Sequence, residues 1–573
     1  MAIDASSGSR WNPSTLATLL SRLPLVVSGG ARRFAEDPWR GWAAATRAAP
    51  WLHRWAPQPA RGVPEVLRCV ANEQLDDARE AASTIDDPAA AQVAELAIRR
   101  GEGDLVAIAS MQSSHRGLRH QIRAARRELS ILSDPLPTWA AQHCHEGSAH
   151  SLDANADESV EGRWQQPRVL HVVTNSLPRV QAGSTIRTHH IASAQSERGW
   201  QVAVATRPGF PVFHGDVTVE RERTYDGVQY LSLIPRVMPR PERVSQTYAE
   251  LLADVVDRWQ PNVIHGASDH VNARAALEVG RRRNLPVAYE ARTLPEESWL
   301  SRHGGESARK SDTFELMHRR HREVLLAADV VTTLGENMRT AICDIGVDPQ
   351  RVFVVPNAVS PTMLGPRRSA GEARDRLGIA GGELLLGSVT TMYAYEGLET
   401  MIEAAARLRR QDLDARLLLV GSGPERERWI ALAHERGVPV TAPGRVAVTD
   451  VVDYLDALDV FVLPRRDDAI TRWVTALKPL EAQARAVPVV GTHLPAVAEV
   501  LAPGSTLVTG HDPGDWAEAL AGMTNPLVRE EAGRQAREWV GACRTWPCVL
   551  EGYASAYAFV GVNPGDGAGI SGR

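Results

Sequence analysis

The chain has 573 residues, about three to four domains' worth, and its 43% apolar and 23% charged residues suffice for large buried cores. A net charge of −5 and a pI near 6.4 exclude the basic surface of a general nucleic-acid binder. The five cysteines, Cys69, Cys144, Cys343, Cys543 and Cys548, are an odd and scattered set. They exclude a disulfide scaffold and suit a reduced, cytoplasmic enzyme.

The first sixty residues interleave Trp11, Trp39, Trp42, Trp51 and Trp55 with Arg32, Arg33, Arg40, Arg47 and Arg54. Three readings stand side by side: a helical cap packed on the next domain, a peripheral membrane contact and a protein-docking face. The run "LATLLSRLPLVV" is broken by Ser21, Arg22 and Pro24 and follows an acidic start. It reads as neither a membrane span nor a signal peptide. Residues 64–132 read as helical, with Leu118, Ile122, Ala125 and Leu129 recurring at helical spacing. Residues 1–132 are therefore expected to form a helical extension. Residues 133–166, polar and rich in breakers, are expected to be a linker. Within them, His143, Cys144 and His145 are adjacent and do not converge on one ion, so no metal site is expected.

From Val169 the texture changes to alternating strands and helices. "VLHVV", "QVAVAT", "NVIHGA", "PVAYEA", "DVVTTL" and "RVFVVPNAV" read as strands, with helices between them. A second set follows, through "LLLGSVT", "ARLLLVGSG", "VTAPGRV", "DVFVLPRR", "VPVVGT" and "STLVT". The alternation predicts two doubly wound α/β domains with parallel sheets, at 167–365 and 366–545, then a C-terminal tail over 546–573. Ligands of such sheets sit off the carboxyl ends of the strands, and a site in a cleft between two facing domains is expected.

Two βα loops are rich in glycine. In "QAGSTIRTHH", Gly183 either serves the turn alone or lets a ligand approach the backbone at a helix start, where free amides favour an anion. "GSGPERERW" repeats that layout in the second half. The stretch "TRWVTALKPLEAQARAVPVVG" holds Lys478, one of only two lysines in the chain. Pro479 marks a helix start, which puts Glu481 in the first turn. Glu481 serves there either as a dipole complement or as an acceptor for a ribose diol. The compact ammonium of Lys478 suits a diphosphate.

These pieces resemble retaining glycosyltransferases of family 4, which have the GT-B fold. "VVPNAV", "GLETMIEAAARL", "LLLVGSGPERE", "DVFVLPRR" and "LKPLEAQARAVPVVGTHLPAVAEVL" resemble the family's nucleotide-binding half. "AGSTIRTHHIASAQSERGWQVAVATRPGFP", "VIHGASDHVNARAAL", "VAYEAR" and "AADVVTTLGENM" resemble its acceptor half. The resemblance spans about residues 167–545. It implies transfer of a sugar from a nucleotide-diphosphate donor to a glycan or lipid-linked acceptor, with retention and with no metal or other cofactor. A cell-envelope or exopolysaccharide pathway is the expected setting, in the cytoplasm, either free or peripheral to the inner face of the membrane through residues 1–132. Glu481 matches the glutamate that binds ribose, and Gly183 the loop glycine near the phosphates.

The chain departs from the pattern in three places. Trp473 stands eight positions before Glu481, where the motif's first glutamate is expected, with Asp467 and Asp468 as candidate substitutes. "GSVTTMYAYEGL" carries Ser388 and Glu396 in place of a basic pair, which shifts the phosphates to Lys478 with Arg465, Arg466 or Arg472. On the acceptor side the usual histidine position holds Ala267, leaving His265, Asp269 and His270 as candidates. The resemblance implies front-face transfer in which leaving-group oxygens assist the acceptor hydroxyl. A nucleotide-sugar epimerase and a non-catalytic GT-B-like binding protein are the competing readings.

Overall fold

The computed structural model describes residues 75–85, 88–112, the positions 122, 125, 126, 129 and 132, and 167–562 except 215, 217–219, 238, 240–242, 302–304 and 380. The tryptophan–arginine segment, the linker, Cys69 and His143–His145 lie outside the described residues. The chain divides into two compact units. One runs to Val331 and takes in Ile345–Val347 and the chain from Ala556; the other comprises Thr332–Asp344 and Asp348–Ser555.

The first sheet has the order β3-β4-β2-β1-β5-β6-β7-β8. Its strands are β1 (Arg168–Val173), β2 (Gln201–Thr206), β3 (Glu222–Tyr225), β4 (Val228–Ser232), β5 (Val263–Ala267), β6 (Val287–Ala291), β7 (Val330–Thr333) and β8 (Val352–Val354). β1 lies parallel between β2 and β5, with Val169 opposite both Val202 and Val263. β5 and β6 are buried along their whole length, as expected for strands covered on both faces. The one antiparallel pair among the register-resolved strands, β3 with β4, was not anticipated from the apolar pattern. Its signal is the Asp226-Gly227 turn, with φ of 47° and 76°, a two-residue hairpin connection.

The second sheet has the order β11-β10-β9-β12-β13-β14. Its strands are β9 (Leu384–Thr390), β10 (Ala415–Gly421), β11 (Val440–Gly444), β12 (Val460–Leu463), β13 (Val489–Thr492) and β14 (Thr506–Val508). All five pairings are parallel. Leu398, Met401, Ile402, Ala405 and Leu408 form the buried stripe of helix Leu398–Arg410. Arg407, Arg409 and Arg410 stand in its last turn, where cations complement the dipole. Trp429 and Trp516 are fully buried in the core on that side. A buried Arg485–Asp456 pair at 2.7 Å ties helix Lys478–Ala484 to helix Val451–Asp456, and Arg485 also donates to the carbonyls of Met363, Gly365 and Pro366.

The extension is helical where it is described, over Leu75–Ser83, Pro88–Glu102 and Leu105–Ser110. Ile122 and Ala125 are buried with Leu96, Leu105 and Ile108, and Leu129 packs on them. The extension is fixed to helix Asp312–Ala327. The Asp312 carboxylate accepts from the Leu105 amide at 2.7 Å, and the Thr313 hydroxyl donates to the Gly103 carbonyl at 2.5 Å. Within the C-terminal tail, Trp546–Phe559 is a helix. Trp546, Val549, Leu550, Tyr553 and Tyr557 are buried at helical spacing, an apolar stripe that was legible in the sequence.

Candidate functional site

In each sheet the chain leaves a first strand to one side and returns on the other. The crevice at such a switch point is where open α/β sheets bind ligands. In the first sheet this point lies between β1 and β5, in the second between β9 and β12.

At the first switch point, helix Gly183–Glu197 follows β1 and helix His270–Arg283 follows β5. Gly183 opens its helix exposed to solvent, and the Thr185 hydroxyl accepts from the Ala182 amide at 3.0 Å. Asp269 caps the other helix by accepting from the Val271 amide at 2.9 Å, and it also accepts from Arg207 at 2.8 Å. Asn272 ties the two loops together by donating to the Thr174 hydroxyl at 3.0 Å. Burial works against ionisation of Asp269, but the adjacent Arg207 guanidinium holds its carboxyl below the usual range. Burial pushes the neighbouring His270 imidazole down to about 4, so it is neutral at physiological pH.

His265 sits apart from these two. It is fully buried, with Nδ1 2.7 Å from the Tyr557 hydroxyl and Nε2 3.4 Å from the Glu290 carboxylate. Glu290 is itself fully buried and accepts from Arg187 at 2.8 Å and from Arg292 at 2.6 Å. Arg292 also donates to the Ser184 carbonyl and the Thr188 hydroxyl, which braces the start of the Gly183 helix. Burial opposes the charge on Glu290, yet the two guanidiniums hold its carboxyl well below the ordinary range. His171 lies beside His265, with ring centres 4.8 Å apart, and burial pushes it down to about 3. This network of Glu290, Arg187, Arg292, His171 and Tyr557 went unread in the sequence. Only "VAYEAR", which places Glu290 and Arg292 two residues apart at a strand end, hinted at it.

At the second switch point three loops interlock. The Arg466 amide donates to the Tyr395 carbonyl at 2.9 Å, and the Glu425 amide to the Met392 carbonyl at 3.1 Å. Gly397, at φ 65°, passes so close to the Pro464 carbonyl that a Cβ would stand 2.1 Å from it. Gly423 passes the Thr391 carbonyl in the same way. The glycines of "GSGPERERW" thus serve close backbone packing.

The cations expected to meet a diphosphate all lie in this unit, and each is ion-paired. Arg465 is buried against Glu396 with two hydrogen bonds of 3.1 Å. Arg466 pairs with Glu399, Arg472 with Asp467 at 2.6 Å, and Lys478 with Glu481 at 2.6 Å. Helix Lys478–Ala484 begins with proline in its first turn, as expected, and carries Glu481 in that turn. Trp473 is partly exposed on the loop between Arg472 and Val474. Among the described residues, no group of three or more His, Cys, Asp or Glu side chains is arranged to hold a metal ion. No described helix is long and apolar enough to cross a membrane.

Comparison with known proteins agrees with this architecture. Residues 182–362 match the family model described as Glycosyltransferase Family 4, and residues 383–525 the one described as Glycosyl transferases group 1; together they cover more than half of the chain. The D-inositol 3-phosphate glycosyltransferase of Arthrobacter sp. (strain FB24) is 26% identical over 421 residues, 68% of this chain and 95% of that protein. The protein of the same name from Stackebrandtia nassauensis is 30% identical over 254 residues, 41% of this chain and 55% of its own length. Among solved structures, the sucrose-phosphate synthase of Thermosynechococcus elongatus superposes with a TM-score of 0.56 at 19% identity, covering 68% of this chain and 98% of that one. The catalytic domain of starch synthase IV from Arabidopsis thaliana does so with a TM-score of 0.52 at 12% identity, covering 69% and 100%. The chain belongs to the family 4-like glycosyltransferases of GT-B fold.

Proposed function

We propose that this glycosyltransferase moves a sugar, with retention, from a nucleoside-diphosphate sugar to a hydroxyl of a phosphorylated polyol of the inositol-phosphate type. The observation that carries the donor half is Glu481 in the first turn of a helix beside the carboxyl edge of the second sheet, with Lys478 at 2.6 Å. A ribose diol there would donate to Glu481, and Lys478 would turn to the phosphates. Negative charge develops on the departing diphosphate, and preorganised cations lower the barrier by meeting it. Arg466, Arg472 and Lys478 are the cations of this reading. Leaving-group oxygens assist the acceptor hydroxyl on the same face, and Asp269 and His270 orient the acceptor. His265 acts one step back, by holding Glu290. The relatives' shared name favours an inositol phosphate over the glycan or lipid-linked acceptor expected from the sequence. In this reading the protein acts in the cytoplasm, without a metal.

A matrix of nucleotide sugars against inositol phosphates and short glycans, read as nucleoside diphosphate released, tests the proposal. Release is expected only with a phosphorylated polyol present, with the donor's anomeric configuration kept in the product by NMR. Glu481→Ala is expected to weaken nucleoside diphosphate binding about tenfold, as loss of a hydrogen-bonded carboxylate does. Release that ignores the acceptor, or an inverted anomer, would overturn it. Nucleotide binding without any transfer would favour the non-catalytic reading, which Trp473 at the expected glutamate position supports.

A further inference from the structure

Glu396 and Arg465 meet at the second switch point. Glu396 ends the loop after β9, two residues before helix Leu398–Arg410 begins, and Arg465 follows β12 by two residues. Both are nearly enclosed, at 4% and 9% exposure. Each guanidinium nitrogen donates a hydrogen bond: Nε and Nη2 to the two Glu396 oxygens at 3.1 Å, and Nη1 to the Val474 carbonyl at 3.0 Å. The close pass of Gly397 on the Pro464 carbonyl pins the two loops together beside the pair. The other three pairs differ. Arg466 and Arg472 keep 49% and 41% of their side chains exposed, and Lys478 27%.

These two kinds of pair respond differently to an incoming anion. An exposed pair is worth little and its cation exchanges partners cheaply. Opening a buried bidentate pair strands one charge out of water and is strongly opposed. We propose that Glu396 is a specificity-determining residue of the donor site: its carboxylate withholds Arg465 from donor phosphates, so the crevice between β9 and β12 carries no net charge and the phosphates fall to Arg466, Arg472 and Lys478. This rests on the nucleotide-sugar reading above and deepens it. Glu396 sets how strongly the site rewards a second phosphate.

Calorimetric titration of the full chain with the nucleoside diphosphate and monophosphate of the active donor tests the inference. Glu396→Gln keeps the shape and removes the charge. It is expected to tighten diphosphate binding about tenfold, the scale of one unscreened charge at several Å, while monophosphate affinity moves less than about threefold. A merely structural role would not change that ratio. The double variant Glu396→Gln with Arg465→Gln replaces the pair by neutral amides and stays testable if the single variant fails to fold. Its diphosphate affinity is expected within about threefold of wild type, because a pair of no net charge has been exchanged for another. A folded Glu396→Gln protein whose diphosphate affinity is unchanged or lower overturns the inference alone. So does a double variant that loses tenfold, which would mean that Arg465 holds the phosphate itself. Absence of nucleotide binding in every form, wild type included, overturns the donor reading and this inference with it.

Discussion

The two switch points solve the same problem in opposite ways. In the first unit charge is sunk within the fold: Glu290 is enclosed between Arg187 and Arg292, and the strand end presents the partly exposed pair Asp269 and Arg207. In the second unit the buried pair Glu396–Arg465 lies in the crevice itself, and the exchangeable charges stand around it. The difference teaches that a buried ion pair can act as a foundation under a site or as a neutral plug within it. Position relative to the strand ends decides which.

The largest expected effect breaks the foundation. Glu290→Leu leaves two guanidiniums buried with no carboxylate between them and is expected to cost about 3–5 kcal/mol. Urea denaturation reads it; a midpoint unchanged from wild type would show that Arg187 and Arg292 find other counter-charges. Next is the plug's backbone. Gly397→Ala forces a side chain into left-handed φ and against the Pro464 carbonyl, for about 2–3 kcal/mol. If the variant melts with wild type, the two loops are not pinned as described.

Acid sharpens the contrast. His171 is held neutral down to about 3, against an ordinary value of 6.5. Between those values the unfolded chain binds a proton that the folded chain refuses, so stability rises with pH across the window and is lost as pH falls through it. Glu290 acts in the same direction at lower pH, because its folded carboxyl titrates well below its unfolded value. His171→Leu is expected to remove up to about 2 kcal/mol of the loss between pH 6.5 and pH 5, read by urea unfolding at each pH. An identical acid limb in the variant would place the titration elsewhere. The smallest effect belongs to the exposed pairs: Arg472→Ala is expected to shift stability by less than about 1 kcal/mol. Its nucleoside diphosphate affinity should fall about threefold by calorimetry; no fall would remove Arg472 from the phosphate site.

Much of the fold was legible because its signals are local. β2 and β9 fall on Gln201–Thr206 and Leu384–Thr390 as read, since an apolar run between breakers has few other uses, whereas the readings "RVFVVPNAV" and "DVFVLPRR" run past the ends of β8 and β12 into the loops beyond. The helix start at Pro479 and the placing of Glu481 followed from turn chemistry alone. The β3–β4 hairpin was missed because both strands are short and β3 is largely exposed, which leaves only the Asp226-Gly227 turn as a signal. Helix Trp546–Phe559 was passed over although its apolar spacing was present. The candidate cations all lie in the second unit. Their partners were hidden, because Glu396 and Arg465 are 69 residues apart and Arg187 and Glu290 are 103 apart.

The sequence by itself determined the two α/β halves, the order of their strands along the chain and which loops carry charge and glycine, since all of these are written in spacings of a few residues. Only the tertiary structure decided which charges are spent. Burial and pairing depend on which strand ends become neighbours, and strand order in a sheet is set by long-range packing. His265 looked like a group for substrate and is enclosed beneath Tyr557 and Glu290. Arg465 looked like a phosphate ligand and is occupied by Glu396. In both cases the residue type set the chemistry available, and the surroundings chose the partner.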